Sequence, residues 1–201
     1  MSRKPTIQNH ERRWVYLGEN NMQLRTTKEK ILIAILVGII AGIICALAKF
    51  GWEIPFPPRT PARDLTNPPQ ELLQQLGMSF EMSHITYLFN GNPRPIMSFI
   101  MHFGFSITFA VLYCVVAEFY PKIKLWQGAF YGLVLHVVFH IILLPLFGTV
   151  PAPWDQPFAE HFSELFGHMF CFWLVEIARR DLRNRITHAP DAEVPLSEAT
   201  R

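Results

Sequence analysis

The sequence predicts an all-α integral membrane protein, a four-helix transmembrane bundle with a short amphipathic helix in its first outer loop. Three observations carry that expectation: the clustering of apolar residues, the length of the clusters, and the uneven placement of Lys and Arg between them. Half of the 201 residues are hydrophobic, yet mean hydropathy is only +0.19 because the apolar residues are gathered into blocks. Blocks at 31–50, 96–119, 126–147 and 158–177 each suit a span, since ~20 residues at 1.5 Å rise cross a ~30 Å hydrocarbon core. The fourth is the weakest by composition because of its charged start. A cytoplasmic basic segment (1–30), a membrane domain (31–177, with an outer cap at 51–94) and a basic extension with a tail (178–201) follow from this division.

Residues 1–30 are polar and carry Arg3, Lys4, Arg12, Arg13, Arg25, Lys28 and Lys30. Thr26 and Glu29 have the spacing of a capping box, which suits a helix beginning just before the membrane. No A-x-A-like cleavage site follows the first apolar run, so that run is expected to act as an uncleaved anchor. Basic residues flanking a span read as a topology signal with anionic-lipid contact and not as a nucleic-acid surface.

In the first span Ala34, Gly38, Gly42 and Ala46 recur every four residues, a small-residue ladder that lets a second helix backbone approach closely. Lys49 and Glu53 close it at i,i+4 beside Trp52, an interfacial anchor group. The connection that follows is stiffened by Pro55, Pro57, Pro58, Pro61, Pro68 and Pro69. PQELLQQLG then reads as a short surface helix ended by Gly77, and YLFNGNPRP as a turn. A structureless loop of this length is unusual, so it is expected to cap the bundle.

The second span carries Ser98, His102, Ser106, Ala110 and Cys114 on one stripe, a small and polar face expected to meet protein. EFYPKIK reads as a tight basic turn broken by Pro121. The third span repeats the device with Gly128, Gly132, His136 and His140, and Pro145 with FGTVPAPWD ends it. The fourth carries His161, Glu164 and His168 at helical spacing, with Glu176 and Arg180 as an ordinary i,i+4 pair at its far end. Arg179, Arg180, Arg183 and Arg185 form a basic amphipathic extension, and the tail from Ala189 has a disordered composition. Cys45, Cys114 and Cys171 lie one each in three spans, which suits small buried hydrophobes rather than a disulfide framework.

Lys and Arg are concentrated before the first span, between the second and third, and after the fourth, while residues 148–157 contain none. The excess belongs on the cytoplasmic side, so both termini are expected inside. With that orientation His102, His140 and Glu164 lie about 9–10 Å below the outer surface. His136 and His168 lie about 15–16 Å down, near the bilayer centre.

Ionisable groups within hydrocarbon are expensive and mark either a function or a packed polar seam. Three chemistries suit this set. Paired imidazoles at i,i+4 beside a second helix bearing His and Glu can ligate a metal or haem, although a di-iron carboxylate site would need more glutamates. Burial and ion pairing act in opposite directions on His and Glu, so the cluster can instead take up or pass protons. Or the groups only hydrogen-bond across helices and fix the bundle's packing.

Several strings resemble the YagU-type family of bacterial inner-membrane proteins. They are Gly38/Gly42 with Lys49 and Trp52, Pro57-Pro58-Arg59, and Ala117-Glu118 through Pro121-Lys122-x-Lys124-Leu125-Trp126-Gln127-Gly128. Trp154-Asp155, Glu160-His161-x-Ser163-Glu164-x-x-Gly167-His168 and Glu176-x-x-Arg179-Arg180-Asp181 extend the likeness to about Arg185. The resemblance implies a small multi-pass inner-membrane protein, linked to acid tolerance, with no catalytic residues to carry over.

The expected function is therefore a non-enzymatic membrane protein whose outward-half cluster, His102, His136, His140, His161, Glu164 and His168, senses or conducts protons or a metal ion. A metal- or haem-dependent redox protein using the same histidines is one alternative. A scaffold that packs partner helices, or a homo-oligomer, through Ala34, Gly38, Gly42 and Ala46 is the other. A metal or haem is compatible with these residues but not required. There is no aqueous Ser/His/Asp or Cys/His arrangement, phosphate-binding glycine loop or nucleotide fingerprint, so catalytic residues are expected to be none.

Overall fold

Helix α1 (Thr27–Glu53) begins at the capping box its sequence announces: Thr26 Oγ1 accepts from the Glu29 backbone N–H at 3.2 Å, and Glu29 returns the bond to Thr26 N–H at 2.8 Å. The structure, a computed structural model, describes residues 26–189 and 191. The expectations for Arg3, Lys4, Arg12, Arg13 and Arg25, and for the tail beyond Asp191, lie outside the described residues.

The faces of α1 are sorted by size. Leu32, Ile35, Leu36, Ile39, Ile40, Ile43, Ile44 and Leu47 point outward, while Ala34, Val37, Gly38, Ala41, Gly42, Cys45 and Ala46 are buried. Large apolar outside and small inside is the arrangement of a helix in lipid, where close backbone contact replaces the hydrophobic effect as the source of association. The inward ladder meets α4 (Ile96–Phe119) of the same chain. A Cβ at Gly38 would lie 2.6 Å from Val111 Cα and one at Gly42 2.5 Å from Ile107 Cα. The ladder proposed to receive partner helices is thus filled within the chain. The facing stripe on α4 is the small-and-polar one, with Ser106, Ala110 and Cys114 all buried.

The connection folds onto one end of these helices. Asn67 caps α2 (Pro68–Gln75) through a reciprocal pair with Gln70, and Ser98 of α4 donates to Asn67 Oδ1 at 2.7 Å. Gln70 is buried and donates to the Ser83 carbonyl at the end of α3 (Phe80–Ser83). The segment read as a turn is a hairpin, β1 (Thr86–Phe89) paired antiparallel with β2 (Asn92–Pro95). Its two-residue turn has Asn90 at φ 50° and Gly91 at φ 75°, the left-handed pair that Asn-Gly supplies in hairpins.

The third apolar block differs most from expectation. After α4 a short 3₁₀ stretch starts at Pro121 and breaks at Leu125, Trp126 and Gln127, whose backbone angles are not helical, and the α-helix begins only at α5 (Ala129–His136). Trp126, Gln127 and Gly128 all have positive φ there. The break brings Gly128 against α7, where a Cβ would lie 2.5 Å from the Phe172 carbonyl oxygen. After His136 the backbone widens to a π-helical stretch, Val137–Leu143, before α6 (Leu144–Leu146). Pro145 supplies no N–H and its ring crowds the carbonyl four residues back, which disfavours regular α-helix in the turn before it. The Leu144 N–H bonds the Phe139 carbonyl instead.

Helix α7 (Phe158–Thr187) runs 30 residues, so the basic extension beyond 177 is the same helix continued. It packs against α1 and α5. Among the described residues, three helical segments are long and apolar enough to cross a membrane, Thr27–Glu53, Ile96–Phe119 and Pro121–Leu146. Helix α7 falls outside that set, and the reason is its buried face, which carries Glu160, Ser163, Glu164, His168, Glu176 and Arg179. These buried charges point inward while Phe166 and Trp173 face out, and Asp181 and Arg185 in the last turns are exposed. Glu176 pairs with Arg179 through bonds of 2.7 and 2.8 Å rather than with Arg180 as its spacing suggested. Cys45, Cys114 and Cys171 are free thiols, all buried.

Candidate functional site

The centre of the site is Glu164, one turn before His168 on α7. Glycine makes the approach to it possible. Gly132 of α5 sits so close to α7 that an added Cβ would collide with the His168 carbonyl. That contact sets His136 and His140, the next positions on the same stripe, beside His168. Their rings stack on each other at 5.5 Å between centroids, and lie 5.9 Å (His136) and 4.8 Å (His140) from His168.

Glu164 Oε2 lies 3.6 Å from His140 Nε2 and 3.8 Å from His168 Nδ1. His168 Nδ1–H donates to the Glu164 backbone carbonyl at 2.7 Å, which leaves its Nε2 as the ring's acceptor. His140, Glu164 and His168 together offer three ligand atoms within 4.8 Å of one another. His136 is 4 % exposed, and its Nδ1 has no hydrogen-bond partner.

Not every histidine on the spans joins them. His102 lies between α1 and α4, its Nε2 3.3 Å from the Ala46 carbonyl and its ring against Phe50. His161 Nε2 meets the Pro153 carbonyl at 2.8 Å, which ties the start of α7 to the 3₁₀ turn Pro153–Asp155.

The same carboxylate anchors a network of charge that the sequence reading did not assemble. Lys49, 5 % exposed, reaches Glu164 Oε2 at 3.1 Å and Glu53 Oε1 at 2.6 Å. It is a buried counter-charge, not an interfacial anchor. Gly167 leaves the room: a Cβ there would meet Lys49 Cδ and Cε at 3.1 Å. Glu160, 1 % exposed, is held at 3.0 Å by both Arg59 and Arg63 of the connection, and Arg59 also stands 3.9 Å from Glu164. Three cations (Lys49, Arg59, Arg63) pair with three carboxylates (Glu53, Glu160, Glu164), and Asp64 stands beside them as a fourth carboxylate.

The loop side is fixed by backbone contacts as well as charge. Trp52 Nε1 donates to the Ser163 carbonyl at 3.0 Å, and Ser163 Oγ donates to the Phe56 carbonyl at 2.5 Å. Asp64, beside these arginines, is exposed on the outer surface of the connection. Partial desolvation pushes its carboxyl above the ordinary value against the pull of Arg59, and Glu53 and Glu164 add to the rise. One signal for the missed residues was available: Glu160, Glu164 and His168 are four apart and share one face of a helix. The partners Arg59 and Arg63 sit in irregular chain, where no periodicity points to a face.

Long helices with small residues turned in, large apolar residues turned out, and charges buried between them define a polytopic helical membrane protein. The chain belongs to a family described as "Protein of unknown function (DUF1440)", which matches residues 43–177. It is 42% identical over 187 residues to "Inner membrane protein YagU" of Escherichia coli (strain K12), covering 82% of this chain and 91% of that protein. No solved structure matches. The resemblance drawn from the sequence strings is thereby shown, and the chain is an inner-membrane protein of that family.

Proposed function

We propose that the protein spans the inner membrane four times, with both termini cytoplasmic, and that His136, His140, Glu164 and His168 form a proton-responsive centre in its outer half. Helix α7 is the fourth span on this reading, because Glu160, Glu164, His168 and Glu176 are covered by protein and Phe166 and Trp173 face outward. The connection carrying Arg59 and Arg63 then closes the periplasmic end.

The observation that carries the function is the position of Glu164 Oε2, which faces Lys49 and two imidazoles at once. Ion pairs buried this deeply are costly to leave uncompensated, and imidazole is the side chain whose charge changes in the mildly acidic range. Glu164 Oε2 stands at ion-pair distance from two such rings. A proton arriving on His140 or His168 therefore draws Glu164 away from Lys49, and the shift passes along α1 and to the Arg59 loop. Acid outside the cell is the condition under which this happens, which agrees with the acid tolerance that the family resemblance implies.

A divalent cation is the second reading, favoured by the ligand spacing of His140, Glu164 and His168. It fits less well. The Glu164 oxygen facing both imidazoles already holds Lys49 at 3.1 Å, so an ion would have to displace that ammonium. The close contact of the rings leaves no width for a porphyrin between them.

Survival of cells in acid tests the proposal. Cells lacking the native gene and carrying His136, His140 and His168 all changed to Gln are expected to lose the protection that the native chain gives. Full protection by the variant, at equal membrane abundance, refutes it. Stoichiometric metal in the purified protein, lost on His140→Gln, would favour the cation instead.

A further inference from the structure

The connection carries a run of apolar side chains that the described residues do not cover. Between residues 76 and 89 the only Asp, Glu, Lys or Arg is Glu81, and Leu76, Phe80, Met82, Ile85, Leu88 and Phe89 are all exposed. Exposed apolar surface of this kind marks contact with a membrane or with another protein. The run ends in the β1–β2 hairpin, whose geometry distinguishes the two.

Register sorts the hairpin into two faces. Residues paired across an antiparallel ribbon share a face, and successive residues alternate. Tyr87, Phe89, Asn92 and Arg94 therefore share one face, and Thr86, Leu88, Pro93 and Pro95 the other. The first leans on the bundle: the Tyr87 ring meets Phe99 of α4 edge-on at 5.8 Å, and Phe99 packs on Phe50 of α1 at 4.6 Å. The second face carries no charge, and Leu88 on it is 76 % exposed. Because Phe50 and Phe99 belong to the two membrane-length helices, the hairpin flanks their ends. Its uncharged face continues the apolar surface that Leu47 and Ile100 present to lipid.

The backbone fits the same environment. Phe89 and Asn92 flank a two-residue turn and bond to each other, so the alternation of the ladder turns the backbone of residues 86, 88, 93 and 95 outward. The bond from the Ile96 N–H to the Ile85 carbonyl, 3.0 Å, continues that alternation. Both outward positions of β2 are proline, so this edge has no N–H to leave unpaired and offers no donor to a further strand. Such an edge loses little where water is scarce. Thr86 and Leu88 keep their N–H groups, which limits the depth to the zone where water and headgroup oxygens can accept. We infer that the β1–β2 hairpin is a membrane hook, its Leu88 face seated in the headgroup boundary of the bilayer beside α4. The hook ties the connection that supplies Arg59 and Arg63 to the bilayer surface. It is independent of the histidine centre and of which leaflet lies at this end.

The test places a nitroxide at Leu88→Cys and, separately, at Thr86→Cys in the full chain, reconstituted in vesicles of phosphatidylethanolamine and phosphatidylglycerol. Cys45, Cys114 and Cys171 are buried, and the unsubstituted chain taken through the same labelling measures any reaction at them. Power saturation compares access to oxygen, which concentrates in lipid, with access to a water-soluble nickel chelate. A label at Ile43→Cys, on the outward face of α1, supplies the hydrocarbon value. Both hairpin labels are expected to favour oxygen several-fold, though less strongly than the label at Ile43→Cys. Preference for the nickel chelate at both positions, as for a ribbon in water, overturns the inference. Spin coupling between labels on separate copies also overturns it, since a second chain would then cover the face. If Leu88→Cys does not fold, Thr86→Cys on the same face decides by the same criteria.

Discussion

Lys49 Nζ lies 3.1 Å from Glu164 Oε2, the oxygen that also faces His140 and His168. One carboxylate oxygen thus joins the ion-pair network of α1 to the imidazoles of α5 and α7. Removing the cation strands Glu164 and Glu53 in a buried site. Lys49→Met is expected to destabilise the protein by about 3–5 kcal/mol, the usual result of breaking one side of a buried pair. Adding Glu164→Leu should recover much of the loss, because an apolar pair of similar volume is often neutral. Thermal unfolding of the two variants in detergent checks both expectations.

The α1–α4 contact depends on the absence of a side chain at Gly42, where a Cβ would stand 2.5 Å from the Ile107 backbone. Gly42→Leu cannot be accommodated by a rotamer change, since the obstacle is main chain. The expected cost is at least about 1–3 kcal/mol, as for overpacked cores. Leu47→Ala, on the outward face of the same helix, should change little. Side-by-side melting curves separate the two.

Asp191 gives a pH dependence whose sign is fixed. Burial alone would raise its carboxyl, but the bonds and charges of Arg179 and then Lys124 hold it below the ordinary value. A carboxylate depressed in the folded state contributes stability that is complete above its ordinary value and is lost as pH falls through the depressed one. Asp191→Asn should therefore melt below the native chain at neutral pH, and the gap should close in strong acid. Melting temperatures across an acid series measure it. A gap that stays constant with pH would mean the carboxylate's charge is not what holds the segment.

Much of the architecture was legible because lipid imposes length and sidedness on a sequence. Gly38 and Gly42, four apart in a run of Ile and Leu, announce a close helix contact before any coordinate is known. So do Gly132 and His136, where the same spacing put an imidazole on the face that meets α7. What stayed hidden was long-range or irregular. The Lys49–Glu53 spacing gave the local pair, but the same ammonium reaches Glu164 across a helix interface that no sequence interval encodes. Arg59 and Arg63 meet Glu160 from a proline-rich connection with no repeating face. The backward turn at Trp126 and Gln127 is a tertiary outcome: neither residue favours positive φ, and the contact of Gly128 with Phe172 holds them there. Arg179 and Arg180 are adjacent, so spacing could not say which one turns inward to Glu176.

Proton uptake by the purified protein is the most direct measure of the proposed centre. Native chain and the His140→Gln/His168→Gln variant, matched for folding by circular dichroism, are titrated in detergent from about pH 7 to about pH 4, the range in which imidazoles exchange protons. The native chain is expected to take up more protons per molecule than the variant, with the extra uptake abolished by Glu164→Leu, which removes the carboxylate that stabilises the charged ring. Superimposable titration curves for native chain and variant would contradict a proton-responsive centre at these residues.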